Sequence, residues 1–404
     1  MRTSVVVIGG GQAGLAMSWW LDRAGVDHVV LERGVVGQSW RERRWHSLRL
    51  LTPNWMNRLP GLYDIGGDPD DYLGATEVVG LLDGYARAFG APVLPHTTVV
   101  GVRQTASGFR VDTDGGSWRC RAVVVATGTE GASRVPALAG ELGGDLQQVT
   151  ALGYREPGRV APGAVLVVGA SASGVQIADE LRRAGRSVTL AVGDHVRVPR
   201  TYRGRDIYRW LDELGVLDER YDEVEDLVRA RRLPSLQLVG SPQRRSLDLA
   251  TLSAGGVQLT GRLVGIDRGR ALFSGSLANF LKAGDLKQAR LLDRIDEHVG
   301  GGPVDRPEPT PLPLPVTELE LARFSAVVWA TGHQPRYPWL DPALLDRRGA
   351  IRHDGGLLGA PGLYVLGLPF TRRRRSNLIA GVGPDAEALC AHLVGHLGRA
   401  RSAA

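Results

Sequence analysis

Three glycines near the start of the chain, Gly9-x-Gly11-x-x-Gly14, have the spacing of a backbone turn that closes around a pyrophosphate. Gly9 permits the tight turn, Gly11 lets a diphosphate approach the main chain, and Gly14 lets the flanking helix and strand pack closely. Glu32 ends the next apolar run, Val29-Val30-Leu31, where a carboxylate can accept hydrogen bonds from an adenosine ribose. A second unit reads Gly169-x-Ser171-x-Ser173-Gly174. Its serines are small, and a hydroxyl at Ser171 can bond phosphate. In this unit Val192, followed by Gly193, stands where the first unit has its acid, and Arg197, Arg200, Arg203 and Arg205 lie downstream. Loss of the acid beside arginines favours a 2′-phosphate, and so NADPH over NADH; Asp194 weighs the other way. A hydrolase nucleophile elbow, G-x-S-x-G, is disfavoured because its fifth position is Ser173.

Such turns work only between a buried strand and a helix. The β-branched run Ser4–Ile8 predicts the first strand, and Leu15–Ala24 the helix after it, with Gly25 as its stop. The second unit repeats this order: strand Ala164–Val168, helix Val175–Ala184 with Gly185 at its end, then strand Ser187–Ala191. Two further runs, Ala122–Ala126 and Ala326–Trp329, read as buried strands leading into small-residue turns. The first enters Thr127-Gly128 and the second enters Ala330-Thr331-Gly332, so each Ala-Thr-Gly closes a unit that a glycine turn opened. Between the units, Asp206–Arg232 and Ser274–Val299 have helical spacing, and Gly300–Pro315 reads as a linker or surface loop. These insertions suit either pocket walls or scaffold.

The chain has 404 residues, enough for two or three domains, and 54 are glycine with no triplet period, which assigns glycine to turns. Hydrophobic residues at 43% and charged residues at 23% exclude a mostly disordered chain. Lys282 and Lys287 are the only lysines, so the net charge of +6 is carried by arginine. Cys120 and Cys390 are far apart and form no C-x-x-C, which excludes a redox dithiol and a zinc ribbon and suggests a cytoplasmic setting. The start reads as a strand entering a glycine turn rather than as a signal peptide, and no apolar run is long enough for a membrane span. His392 and His396 have metal-binding spacing but no third ligand, so no metal is expected. The run Arg372–Arg375 is too short and lacks the aromatics for nucleic acid; it suits phosphate contacts or solvation. Trp19-Trp20 is read as helix packing.

The pattern resembles the flavoproteins with two dinucleotide-binding domains, and within them the flavin-containing monooxygenase-like branch, including its bacterial CzcO-type group. The likeness spans nearly the whole chain. It rests on the two glycine motifs, Gly37-Gln38-Ser39-Trp40, Trp45-His46-Ser47-Leu48-Arg49-Leu50-Leu51-Thr52-Pro53, Arg200-Thr201-Tyr202-Arg203-Gly204-Arg205-Asp206 and the two Ala-Thr-Gly turns. It implies an α/β fold with two Rossmann-like domains, the NADPH domain (156–320) inserted into a discontinuous FAD domain (1–155 and 321–404). It implies FAD contacts from Gly9, Gly11, Gly14, Glu32, Arg33, Gln38, Ser39, Trp40, Thr52, Val99, Thr127, Gly128 and Gly367, with Asp385 opening the last helix near the flavin. NADPH contacts would come from Gly169, Ser171, Ser173, Gly174, Arg200 or Arg203, and Ala330, Thr331 and Gly332. His46 and Arg375 are pocket candidates, and the catalytic residues stay unknown.

The activity implied is a monooxygenase that uses a C4a-(hydro)peroxyflavin, with O2 and a small organic molecule as substrates. N- or S-oxidation and Baeyer–Villiger insertion are all open, and so is a homodimer. A reductase without oxygen insertion and a redox sensor acting on a partner are the alternatives. One departure stands out: Gly144, Leu146 and Thr150 replace the Phe, Gly and His of the family's linker fingerprint, and only Tyr154 keeps its aromatic place. That argues against a typical Baeyer–Villiger enzyme.

Overall fold

The four apolar residues of Val5–Ile8 are all buried, as a strand covered on both faces requires. In the computed structural model this strand is the centre of a five-stranded parallel sheet, flanked by His28–Leu31 and Ala122–Val125. Val93–Leu94 and Leu363–Val365 complete its edges. All residues are described except 130, 303, 403 and 404.

The second sheet is built the same way. Ala164–Val168 is its centre, between Val188–Ala191 and Phe324–Trp329, with Gln258–Thr260 and Gln147–Thr150 outside them. The expected edges of the inserted domain therefore move outward. The expected boundaries put strand 147–150 in the first part of the FAD domain and strand 324–329 in its second part, yet both belong to the second sheet. The parallel ladder explains this: Ala326–Trp329 runs beside Val165–Val168 as Ala122–Val125 runs beside Val5–Ile8.

The helices after the glycine turns begin earlier than their apolar pattern suggests, at Gln12 and Ala172. Their first turns carry small residues that have no hydrophobic signature. Gly25 and Gly185 end them at φ values of 62° and 80°. The helix Gln12–Arg23 packs against the C-terminal helix Ile379–Ser402, and the edge-on pair Trp19 and Trp20 belongs to this packing. The insertion gives the helix Ile207–Glu213, the short helix Leu227–Ala230 and the long helix Leu277–Val299.

Side chains tie the N-terminal part of the chain to the insertion. Arg200, wholly buried, donates to the carbonyl of Leu51, and the Tyr72 hydroxyl donates to Asp206. The run Arg372–Arg375 forms a second bridge. Arg374 pairs with Glu219, and Arg375 with Asp212 and Asp218. These arginines tie the insertion to the C-terminal part of the chain rather than facing a phosphate or solvent alone.

Candidate functional site

Each glycine turn is shaped by what a side chain would strike. A Cβ at Gly14 would lie 1.9 Å from the carbonyl oxygen of Gly9, and one at Gly174 would lie 1.8 Å from that of Gly169. Gly9 and Gly169 have φ of +111° and +109°, and any Cβ on them would meet the carbonyl oxygens of Ala126 and Ala330, respectively. Each Ala-Thr-Gly turn thus lies against its own glycine turn. At Gly11 nothing stands within 4 Å of an added Cβ, which is the space a pyrophosphate needs.

The helix N-termini match that use. Gly11 and Ser171 are the N-caps, neither supplies a side-chain cap, and neither helix has an acid in its first turn. Backbone N–H groups with no internal partner and the positive end of the helix dipole face this space, and no carboxylate repels an anion.

Glu32 follows the strand His28–Leu31 and holds the first turn together. Its carboxylate accepts from the amides of Gly10 (2.7 Å) and Gly34 (2.8 Å). Thr97 donates its amide to the Glu32 carbonyl, bringing the segment before Val99 beside the acid. Gln38 begins the short helix Gln38–Glu42 and accepts from the Val35 amide, while Trp40 lies under the Arg44 guanidinium. Arg33 and Ser39 are exposed. Gly367 reaches the first turn of the helix after Gly11, where its Cβ would lie 2.7 Å from that of Ala13.

Thr52 is buried and donates to Asn57 Oδ1 at 3.0 Å. The other amide atom, Asn57 Nδ2, is buried with no hydrogen-bond partner, and so is Asn54 Oδ1. Buried Gln237 donates to the Ala170 carbonyl of the second turn at 2.6 Å, leaving its Oε1 unpartnered. Gln237 Oε1 is thus an orphaned polar atom beside the second cradle, which suits a site completed by a polar ligand. FAD and NADPH fit these residues. The sequence carries no local signal for Asn57 or Gln237, because neither lies in a motif.

Several expected contacts are corrected. Arg200 cannot reach a nucleotide phosphate: both terminal nitrogens donate to the Leu51 carbonyl (2.9 and 3.0 Å), Asp206 is 3.5 Å away, and Tyr72 lies beneath the cation. Arg203 is bound to Asp296 at 2.7 Å and to the Gly302 carbonyl. Asp385 does not open the last helix. It lies inside Ile379–Ser402, fully buried, accepting from Arg373 (2.7 Å) and Ser376 (2.6 Å). Burial pushes its pKa up, against the pull of Ser376 and Arg373. His46 is exposed on Glu156 rather than in a pocket, and Arg375 is held by Asp212 and Asp218.

Both cysteines are buried and lie on different elements, Cys120 ending strand Gly116–Cys120 and Cys390 within the last helix. Burial pushes their thiols up to about 12 and about 11. His392 reaches only the Tyr364 hydroxyl, and no metal-binding cluster exists among the described residues. Among the described residues, no helix is long and apolar enough to cross a membrane.

A polar recess of about 170 Å³ lies beside the middle of the helix Ala172–Arg183, lined by Trp45, Arg49, Glu180 and Arg245. It is away from that helix's N-terminus and is not where the turns converge.

Comparison with known proteins accords with this geometry. Residues 6–211 match the family described as pyridine nucleotide-disulphide oxidoreductase. A CzcO-like oxidoreductase of Geobacillus kaustophilus is 31% identical, over 97% of this chain and 98% of its own. The indole-3-pyruvate monooxygenase YUCCA4 of Oryza sativa is 27% identical, over 97% and 87%. Among solved structures, a flavin-containing monooxygenase from Stenotrophomonas maltophilia has the same fold, with a TM-score of 0.70 at 22% identity over 98% of this chain and 99% of that one.

Proposed function

This chain belongs to the pyridine nucleotide-disulphide oxidoreductase family, and we propose that within it the chain works as a monooxygenase on a small organic molecule rather than on a disulphide. It is an oxidoreductase that uses FAD and NADPH. The observation that carries the proposal is the state of its thiols. Disulphide exchange needs an accessible thiolate and a partner cysteine within reach. The only two cysteines are separate and buried, and burial pushes both thiols up. Two glycine turns suit two dinucleotides, while no C-x-x-C is present to pass electrons to a disulphide.

FAD, when bound, supplies the electron transfer from NADPH and the activation of O2. The chain's own work is binding, orientation and exclusion of water. The amides after Gly11 and Ser171 hold pyrophosphates. Glu32 fixes the first turn through Gly10 and Gly34 and keeps lone pairs for a ribose hydroxyl. Thr52 orients the Asn57 carboxamide, whose Nδ2 is a buried donor with no hydrogen-bond partner among the described residues. Arg200 and Asp206 hold the insertion on the Leu51–Tyr72 region, limiting the entry of water.

The test is NADPH oxidation by the FAD-loaded protein under 18O2 with a panel of amines, thioethers, ketones and 2-oxo acids. Label entering one product, with NADPH consumed in step, supports the proposal. NADPH-dependent cleavage of a low-molecular-weight disulphide, with no label in any product, would replace it with the disulphide-reductase reading.

A further inference from the structure

With Arg200 and Arg203 engaged elsewhere, the residue that distinguishes NADPH from NADH has to be found in the structure. The two units correspond in register: Ile8 lies beside Leu31, and Val168 beside Ala191. Val192 therefore takes the place of Glu32. It is fully buried and apolar, so it offers no acceptor to a ribose 2′-hydroxyl. Gly193 follows, and the nearest atom to a Cβ there would be Arg262 Nε, at 3.2 Å.

Arg262 comes from the neighbouring strand. It follows Gln258–Thr260, which pairs in parallel with Thr189–Ala191. Its guanidinium thus reaches the carboxyl end of the strand where the adenosine ribose belongs. The side chain is 53% exposed, rests 5.2 Å from the centre of the Phe280 ring, and meets Asp194 Oδ2 at 3.1 Å. The loop beneath is rigidly held. His195 is buried, with Nδ1 3.0 Å from the Gly193 carbonyl, and its ring fills the space where Gly284 lacks a side chain. The nearby Arg197 is no competitor: it is buried and bound to Asp248, Asp285 and the Glu308 carbonyl.

We propose that Arg262 is the specificity-determining residue for the 2′-phosphate of NADPH, and that Asp194 is its resting counter-ion. This rests on the NADPH reading above. An exposed ion pair, open to water and screened by salt, holds its partners only weakly. A phosphate dianion offers charge-assisted, bidentate bonds to the same guanidinium and displaces the carboxylate. Asp194 in turn repels the 2′-phosphate, so the pair sets both the preference and its limit.

Calorimetric titration of the FAD-loaded protein with adenosine 2′,5′-bisphosphate and with 5′-AMP tests this. Arg262→Gln is expected to weaken the bisphosphate by roughly ten- to a hundredfold, the worth of a hydrogen bond to a charged group, while leaving 5′-AMP unchanged. Asp194→Asn is expected to tighten the bisphosphate alone. No change in Arg262→Gln, or equal weakening of both ligands, would overturn the assignment. A wild-type protein that binds neither nucleotide would overturn the NADPH reading itself, which separates the two failures.

Discussion

Arg200 places both terminal guanidinium nitrogens on one carbonyl, that of Leu51, at 2.9 and 3.0 Å. The cation is wholly buried and comes from the inserted part of the chain, whereas Leu51 precedes the buried Thr52. It is therefore a positioning residue. Arg200→Met leaves Asp206 and the Leu51 carbonyl buried without their cation, a loss of roughly 3–5 kcal/mol by the usual cost of breaking a buried pair. Arg200→Lys keeps the charge but not the fork. Both variants are expected to melt at lower temperature, with the ratio of affinities for NADPH and NADH unchanged. A shift in that ratio would return Arg200 to the phosphate.

Gly14 and Gly174 separate the two cofactors. Gly14→Ala forces a methyl onto the Gly9 carbonyl and is expected to yield protein purified largely without flavin. Gly174→Ala places the same clash in the second unit. It is expected to keep the yellow flavin spectrum and to lose nucleotide binding. Absorbance of the purified variants and titration with NADPH check both, and the reverse pattern would exchange the assignment of the two units.

Neither cysteine takes part in turnover. The double variant Cys120→Ala with Cys390→Ala is expected to oxidise NADPH at close to the wild-type rate, and the native protein to resist an aromatic disulphide thiol reagent until unfolded. Loss of turnover in a variant that is folded and carries flavin would restore a thiol mechanism.

His353 gives the fold a pH dependence. Burial, and the Arg231 guanidinium next to it, lower its pKa from 6.5 to about 4. Its Nδ1 accepts from the Gly356 amide at 3.2 Å, which the neutral ring can do and the cation cannot. The unfolded chain then binds the proton more readily, so this contribution to stability is lost as pH falls from about 6.5 towards about 4. Thermal melts from pH 7 to pH 5 are expected to fall more steeply for the wild type than for His353→Asn. Parallel curves would contradict the assignment.

The two glycine motifs, both Ala-Thr-Gly turns and the buried strands that carry them were legible, because each is a local spacing with a local steric reason. The sheet to which 147–150 and 324–329 belong was not, since strand partnership is settled by the parallel ladder. Arg200 and Arg203 were misplaced for a related reason. An arginine near a nucleotide motif looks alike in sequence whether its guanidinium reaches a phosphate or is spent on Leu51 and Asp296. Arg262 was invisible because it arrives from a strand distant in the chain. Asp385 as a helix start came only from the family resemblance, and the helix begins at Ile379.

The most direct test of the account follows the fate of oxygen. FAD-loaded protein reduced by NADPH is mixed with 18O2 in the presence of each member of the substrate panel, and product mass and hydrogen peroxide are measured together. The account gives one 18O atom in an organic product for each NADPH consumed, with little peroxide. Full recovery of the electrons as hydrogen peroxide with every compound, and no labelled product, would contradict it.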